Sequence, residues 1–91
     1  MTESEARYQI VNRLGLHARA AAKLTQTATR FPCEVTVSNG DQEVNAKSVM
    51  GLLLLCGAKG TEIIVRARGE RAADAVAAIG ELVAARFGEE D

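Results

Sequence analysis

The chain of 91 residues predicts an α+β fold, an open-faced β-sandwich in which a four-stranded antiparallel sheet carries three helices on one face, in the order β-α-β-β-α-β-α. Three observations lead there. Short segments alternate apolar and polar residues, which suits strands buried on one side only. Other segments place apolar residues three and four apart, the spacing of a helix with one buried stripe. The two kinds alternate along the chain with no linker, repeat or low-complexity segment between them, so residues 1–91 are expected to form a single domain.

The first strand is expected over residues 8–12, YQIVN, where Tyr8 and Ile10 alternate with polar neighbours before Gly15 interrupts the pattern. From Ala18 to about Arg30 the alanines, Lys23 and Leu24 favour helix, and Ala21, Leu24, Ala28 and Phe31 form its apolar stripe. Pro32 stops it. Cys33, Val35 and Val37 then alternate with Glu34, Thr36 and Ser38, and the NGD turn at residues 39–41 leads into a partner strand ending near Ala46. Ser48 is placed to cap a short helix through VMGLLLL, closed by GAKG at residues 57–60. TEIIVRAR turns Ile63, Val65 and Ala67 to one face as the last strand. Ala72, Ala75, Val76, Ile79, Leu82 and Val83 line a long helix expected to end near Gly88, with the acidic EED beyond it frayed.

Composition removes several function classes. Eleven Lys and Arg against twelve Asp and Glu give a net charge of −1, so there is no basic excess for nucleic acid. The opening MTESEAR lacks the apolar run of a signal peptide and LLLLC is too short to span a bilayer, which predicts a cytoplasmic chain with no membrane contact. Cys33 and Cys56 have no CxxC spacing and no neighbouring His, so both are read as apolar fillers, and neither a metal site nor an organic cofactor is expected.

The stretch GLHARAAAKL holds the only histidine, His17, at the junction of a loop and a helix start. A group bonded to its ring would meet the unpaired N–H donors of the first helical turn and the positive end of the helix dipole. Arg19 stands two residues on, within reach of the same oxygens. The dipole disfavours imidazolium, so a lowered His17 pKa and a ring lone pair available for attack are expected. Position alone also allows an ordinary capping or surface histidine. No second histidine or carboxylate cluster stands nearby to form a triad or a metal site.

GLHARAAAKL, with KSVMGLLLL at residues 47–55 and the AKG that follows, resembles the HPr family, the histidine-containing phosphocarriers of the bacterial phosphoenolpyruvate-dependent phosphotransferase system. The resemblance spans essentially the whole chain. It implies a carrier that receives a phosphoryl group from enzyme I and passes it to a histidine or cysteine of an enzyme II A-type domain. His17 matches the phosphoryl acceptor, through Nδ1, as a pros-phosphohistidine. Arg19 matches the arginine that stabilises the phosphoryl group, and Ser48 matches a serine that is phosphorylated in some lineages, which implies a serine kinase/phosphorylase as a further partner. Ala20 stands where sugar-branch members commonly have proline, a sequence also familiar from the nitrogen-branch paralogue, and this leaves sugar uptake or nitrogen-branch regulation open.

The apolar run of the short helix exceeds what one face can bury. Leu52 and Leu55 are expected to point inward, with Val49 and Met50 exposed as a partner-binding patch that the resemblance also places beside His17. Lys23 and Lys47, together with Arg13 and Arg30, are expected to attract acidic partners. The chain is expected to act as a monomer. A rival reading keeps the same sheet but makes the chain a non-phosphorylated regulatory binding module acting through the Val49/Met50 patch, and it predicts that His17 is dispensable.

Overall fold

The computed structural model describes residues 2–55 and 57–90, so the expectation for Cys56 lies outside the described residues. The elements are β1 (Glu3–Gln9), α1 (Ala18–Thr29), β2 (Glu34–Ser38), β3 (Glu43–Asn45), α2 (Val49–Leu54), β4 (Glu62–Arg68) and α3 (Ala72–Ala84), followed by a turn of 3₁₀ helix at Arg86–Gly88. The predicted order is therefore the observed one. All three strand pairings are antiparallel, in the sheet order β1-β4-β2-β3, so β4 reaches the middle by pairing with both β1 and β2.

Each strand buries alternate residues. Val35, Val37, Ile63, Val65 and Ala67 point into the core, where they meet Ala20, Ala21, Leu24 and Ala28 of α1, Leu52 of α2 and Ala72, Ala75, Val76, Ile79 and Val83 of α3. The other face of the sheet is a charge ladder. Arg66 pairs with Glu5 at 2.8 Å and Glu43 at 3.5 Å, Arg68 with Glu34 at 3.5 Å, and Arg7 with Glu62 at 3.3 Å. Such exposed pairs are worth about 0–1 kcal/mol each, so this face is a solvated surface and the opposite face holds the fold together.

The first strand lies further towards the N-terminus than its apolar residues predict, over Glu3–Gln9 and not residues 8–12. Glu3, Glu5 and Arg7 occupy the charged face, while Ser4, Ala6 and Tyr8 face the helices. Ser4 and Ala6 carry too little apolar surface to show the alternation in sequence. Ile10 still extends the pairing, donating its N–H to Thr61 O at 2.9 Å and accepting from Gly60 N at 2.7 Å.

The C-terminus departs from expectation more sharply. α3 stops at Ala84, and Arg86 and Phe87 take left-handed φ values of 58° and 55°. This conformation is costly away from glycine, at roughly 1–3 kcal/mol per residue, and something must hold it. Phe87 is fully buried, and Lys23 Nζ donates to its carbonyl at 2.6 Å. The chain thus folds back, and Glu89 of the acidic end is not frayed, since it is fixed by two side chains described below.

Candidate functional site

Gly15 and Leu16 set the position of His17. Gly15 has φ +67°, and a Cβ built there would lie 2.4 Å from Gly57 O, so a side chain is excluded on both counts. Leu16 is buried and donates its N–H to the same Gly57 O at 2.7 Å. The pair pins the loop to the segment after α2 and fixes where α1 begins.

His17 is the N-cap of α1, with extended backbone (φ −73°, ψ 177°). Its carbonyl accepts from Ala21 N at 2.8 Å, the first bond of the helix, and its Nδ1 accepts from Arg19 N at 3.3 Å. Asp, Asn, Ser and Thr usually make this capping bond through a side-chain oxygen; here a ring nitrogen makes it. Nδ1 consequently faces the first-turn N–H groups, and the bond is long enough to be surrendered easily. The imidazole remains one quarter exposed.

The opposite ring nitrogen is also engaged. His17 Nε2 contacts the carboxylate of Glu89 through Oε2, while Glu89 Oε1 accepts from Asn12 Nδ2 at 2.9 Å. Asn12 is fully buried, and its amide also donates to Gly15 O at 2.8 Å. The hydrogen bonds from Asn12 and then from His17 hold the Glu89 carboxyl below its ordinary value, so it is an anion at neutral pH. Sequence reasoning missed both Asn12 and Glu89. The available signal was Phe87, an apolar residue beyond the α3 stripe, whose burial draws the tail inward.

Arg19 is exposed and shares a shallow surface depression with Arg13, Leu14, Gly88, Glu89 and Glu90. Ser48 is the N-cap of α2, its Oγ accepting from Gly51 N at 3.1 Å. Leu52 and Leu55 are buried and Met50 is 70% exposed, as the split of the short helix anticipates. Val49 differs: it is half-buried, because its side chain packs against the core cluster. The exposed apolar residues of this helix are Met50, Leu53 and Leu54, with Leu14 exposed beside His17. Lys23 and Lys47 are tied to backbone, Lys23 to Phe87 O at 2.6 Å and Lys47 to Phe31 O at 2.8 Å. No cluster of His, Cys, Asp and Glu suited to a metal ion occurs among the described residues, and no described helix is long and apolar enough to cross a membrane.

Residues 4–85 match the family model for the PTS HPr component phosphorylation site. The chain is 49% identical over 81 residues to the phosphocarrier protein HPr of Neisseria meningitidis serogroup A, covering 89% of this chain and 91% of that protein. It is 44% identical over 89 residues to the phosphocarrier protein NPr of Shewanella violacea, covering 98% of each. Among solved structures, HPr-C-His from Thermoanaerobacter tengcongensis superposes with a TM-score of 0.92 at 38% identity, covering 97% of this chain and 99% of that one. A histidine-capped helix on an open-faced sheet, matched along nearly its full length by these carriers, belongs to the HPr family of phosphotransferase-system phosphocarriers.

Proposed function

We propose that His17 accepts a phosphoryl group on Nδ1 from phosphorylated enzyme I and gives it to a histidine or cysteine of an enzyme II A-type domain. The observation that supports this most strongly is the direction of Nδ1, which faces the backbone N–H of Arg19 at the start of α1. A phosphoryl group attached there would take over that donor, meet the other unpaired N–H groups of the first turn and lie at the positive end of the helix dipole. The Arg19 guanidinium would add a charge-assisted bond from solvent. Ala20 supports the same arrangement, since alanine has the backbone donor that proline lacks. The site is shallow, which suits a group that must be bound well enough to be directed and released to a second protein.

The remaining roles follow from the surface. Met50, with Val49 at its edge, forms part of an apolar patch for partner proteins, and methionine adapts to more than one of them. Lys23 and Lys47 contribute positive charge there while holding the chain's own carbonyls. Ser48, if phosphorylated by a serine kinase, would place a dianion at the start of α2, where the helix tolerates it and acidic partners are repelled. The chain works in this reading as one monomeric carrier unit.

Incubation with phosphoenolpyruvate and a general enzyme I tests the proposal. Wild-type protein should gain an acid-labile, base-stable label, and His17→Ala should gain none while keeping its fold, because His17 lies outside the core cluster. Equal labelling of the variant would refute the assignment. Intact partner regulation by His17→Ala would favour a binding module that needs no phosphorylation.

A further inference from the structure

We propose that the surface depression lined by Arg13, Lys59 and Arg86 binds a small phosphorylated metabolite, and that its occupancy opposes phosphorylation of His17. The binding stands apart from the phosphocarrier reading; only the effect on His17 rests on it.

Three separate segments supply the cations: the loop before α1, the loop between α2 and β4, and the turn after α3. They line a depression of about 380 Å³, which Val11 and one carboxylate, Glu90, complete. That volume lies at the small end of ligand sites, which span roughly 300–1,000 Å³. The arginines of the sheet face are neutralised, since Arg7, Arg66 and Arg68 all pair with glutamates, whereas among the described residues no ion pair takes up Lys59 or Arg86. The backbone under each cation is fixed by the fold. Arg13 follows the buried Asn12, Gly60 beside Lys59 donates its N–H to Ile10 O at 2.7 Å, and Arg86 is kept in its left-handed conformation by the burial of Phe87 next to it.

The charge and shape of these donors select the ligand. Three cations against one carboxylate leave an excess that a group with two negative charges answers best. The planar guanidinium forks of Arg13 and Arg86 match phosphate oxygens, and Lys59 adds a point charge. A nucleic acid would need a longer stripe of cations, and the sheet arginines that could extend one are paired. An acidic protein face fits cations spread over a flat surface, whereas these edge one hollow. Arg13 also lines the neighbouring depression, which holds Arg19 together with Glu89, the residue in contact with His17. An anion at the cluster therefore draws on positive charge that a phosphoryl group on His17 uses. The two disfavour each other, and by reciprocity phosphorylated His17 weakens the ligand by the same factor.

The test uses pyrophosphate as the probe, titrated into the full ¹⁵N-labelled chain at an ionic strength held constant with sodium chloride. Wild type should show saturable amide shifts centred on Arg13, Lys59, Gly60 and Arg86. Lys59→Gln and Arg86→Gln should each raise the dissociation constant roughly fivefold, the upper end for a charge pair at an exposed site. Arg30→Gln, at the far end of α1, should leave it unchanged. Shifts that do not saturate, or equal affinity in all four proteins, would overturn the proposal. Absence of pyrophosphate binding together with a raised KM for a partner protein in Lys59→Gln would overturn it in favour of an acidic protein face. Pyrophosphate should also slow labelling of wild type by phosphorylated enzyme I more than that of Lys59→Gln, and equal slowing would refute the coupling to His17. The spectra need no phosphoryl donor, so a chain that binds pyrophosphate yet takes no label would refute the carrier reading and leave the site standing.

Discussion

A methyl group at position 15 has no place to go. Its Cβ would fall 2.4 Å from Gly57 O on a backbone already at φ +67°, so Gly15→Ala must move either the loop or the segment after α2. We expect Gly15→Ala to lose about 1–3 kcal/mol in urea unfolding, the usual cost of forcing a side chain into such a conformation. It should also slow phosphoryl acceptance, because Leu16 and His17 follow directly. Loss of stability with full activity would show that the loop relaxes without displacing the ring. The glycine, leucine, histidine and arginine of the motif were legible as a unit in the sequence, since their spacing lies along one turn of chain. Asn12 and Glu89 were not, because they are 77 residues apart and meet only when the tail folds back.

At the scale of elements, α2 divides its apolar residues between core and solvent. Leu52 is fully buried and Met50 is 70% exposed. Met50→Asp should therefore change stability by no more than about 0.5 kcal/mol while raising KM for the partner proteins, whereas Leu52→Asp buries an unpaired carboxylate and should cost several kcal/mol. Thermal melts of both variants, with KM for each partner, decide between a docking surface and a wholly buried helix; equal destabilisation would favour the latter. Element types were readable wherever the apolar residues were large, as in β2, β4, α1 and α3. β1 was misplaced because Ser4 and Ala6 fill its inner face with little hydrophobic signal. The end of α3 was misjudged because Arg86 and Phe87 adopt left-handed backbone that only tertiary anchoring sustains.

Across the whole molecule, Glu89 and Tyr8 link stability to pH at opposite ends of the scale. Glu89 is held below its ordinary value of 4.5, so its stabilising contribution is complete above that pH and fades as pH falls through the lowered value. Tyr8 is raised above 10.0 by burial, with its hydroxyl donating to Val76 O at 2.9 Å; its contribution is complete below 10.0 and is lost as pH rises through the raised value. Urea midpoints measured against pH should show an acidic decline reduced in Glu89→Gln and an alkaline decline reduced in Tyr8→Phe. Declines that persist unchanged in both variants would place the linkage elsewhere. In the function proposed above, the fold holds a single ring nitrogen bare at a helix start on a surface that other proteins can reach. The most direct test of that claim is the site of attachment. Protein labelled with ¹⁵N at His17 and phosphorylated by phosphoenolpyruvate and enzyme I should show phosphorus coupled to Nδ1, and coupling to Nε2, or label on any other residue, would contradict the account.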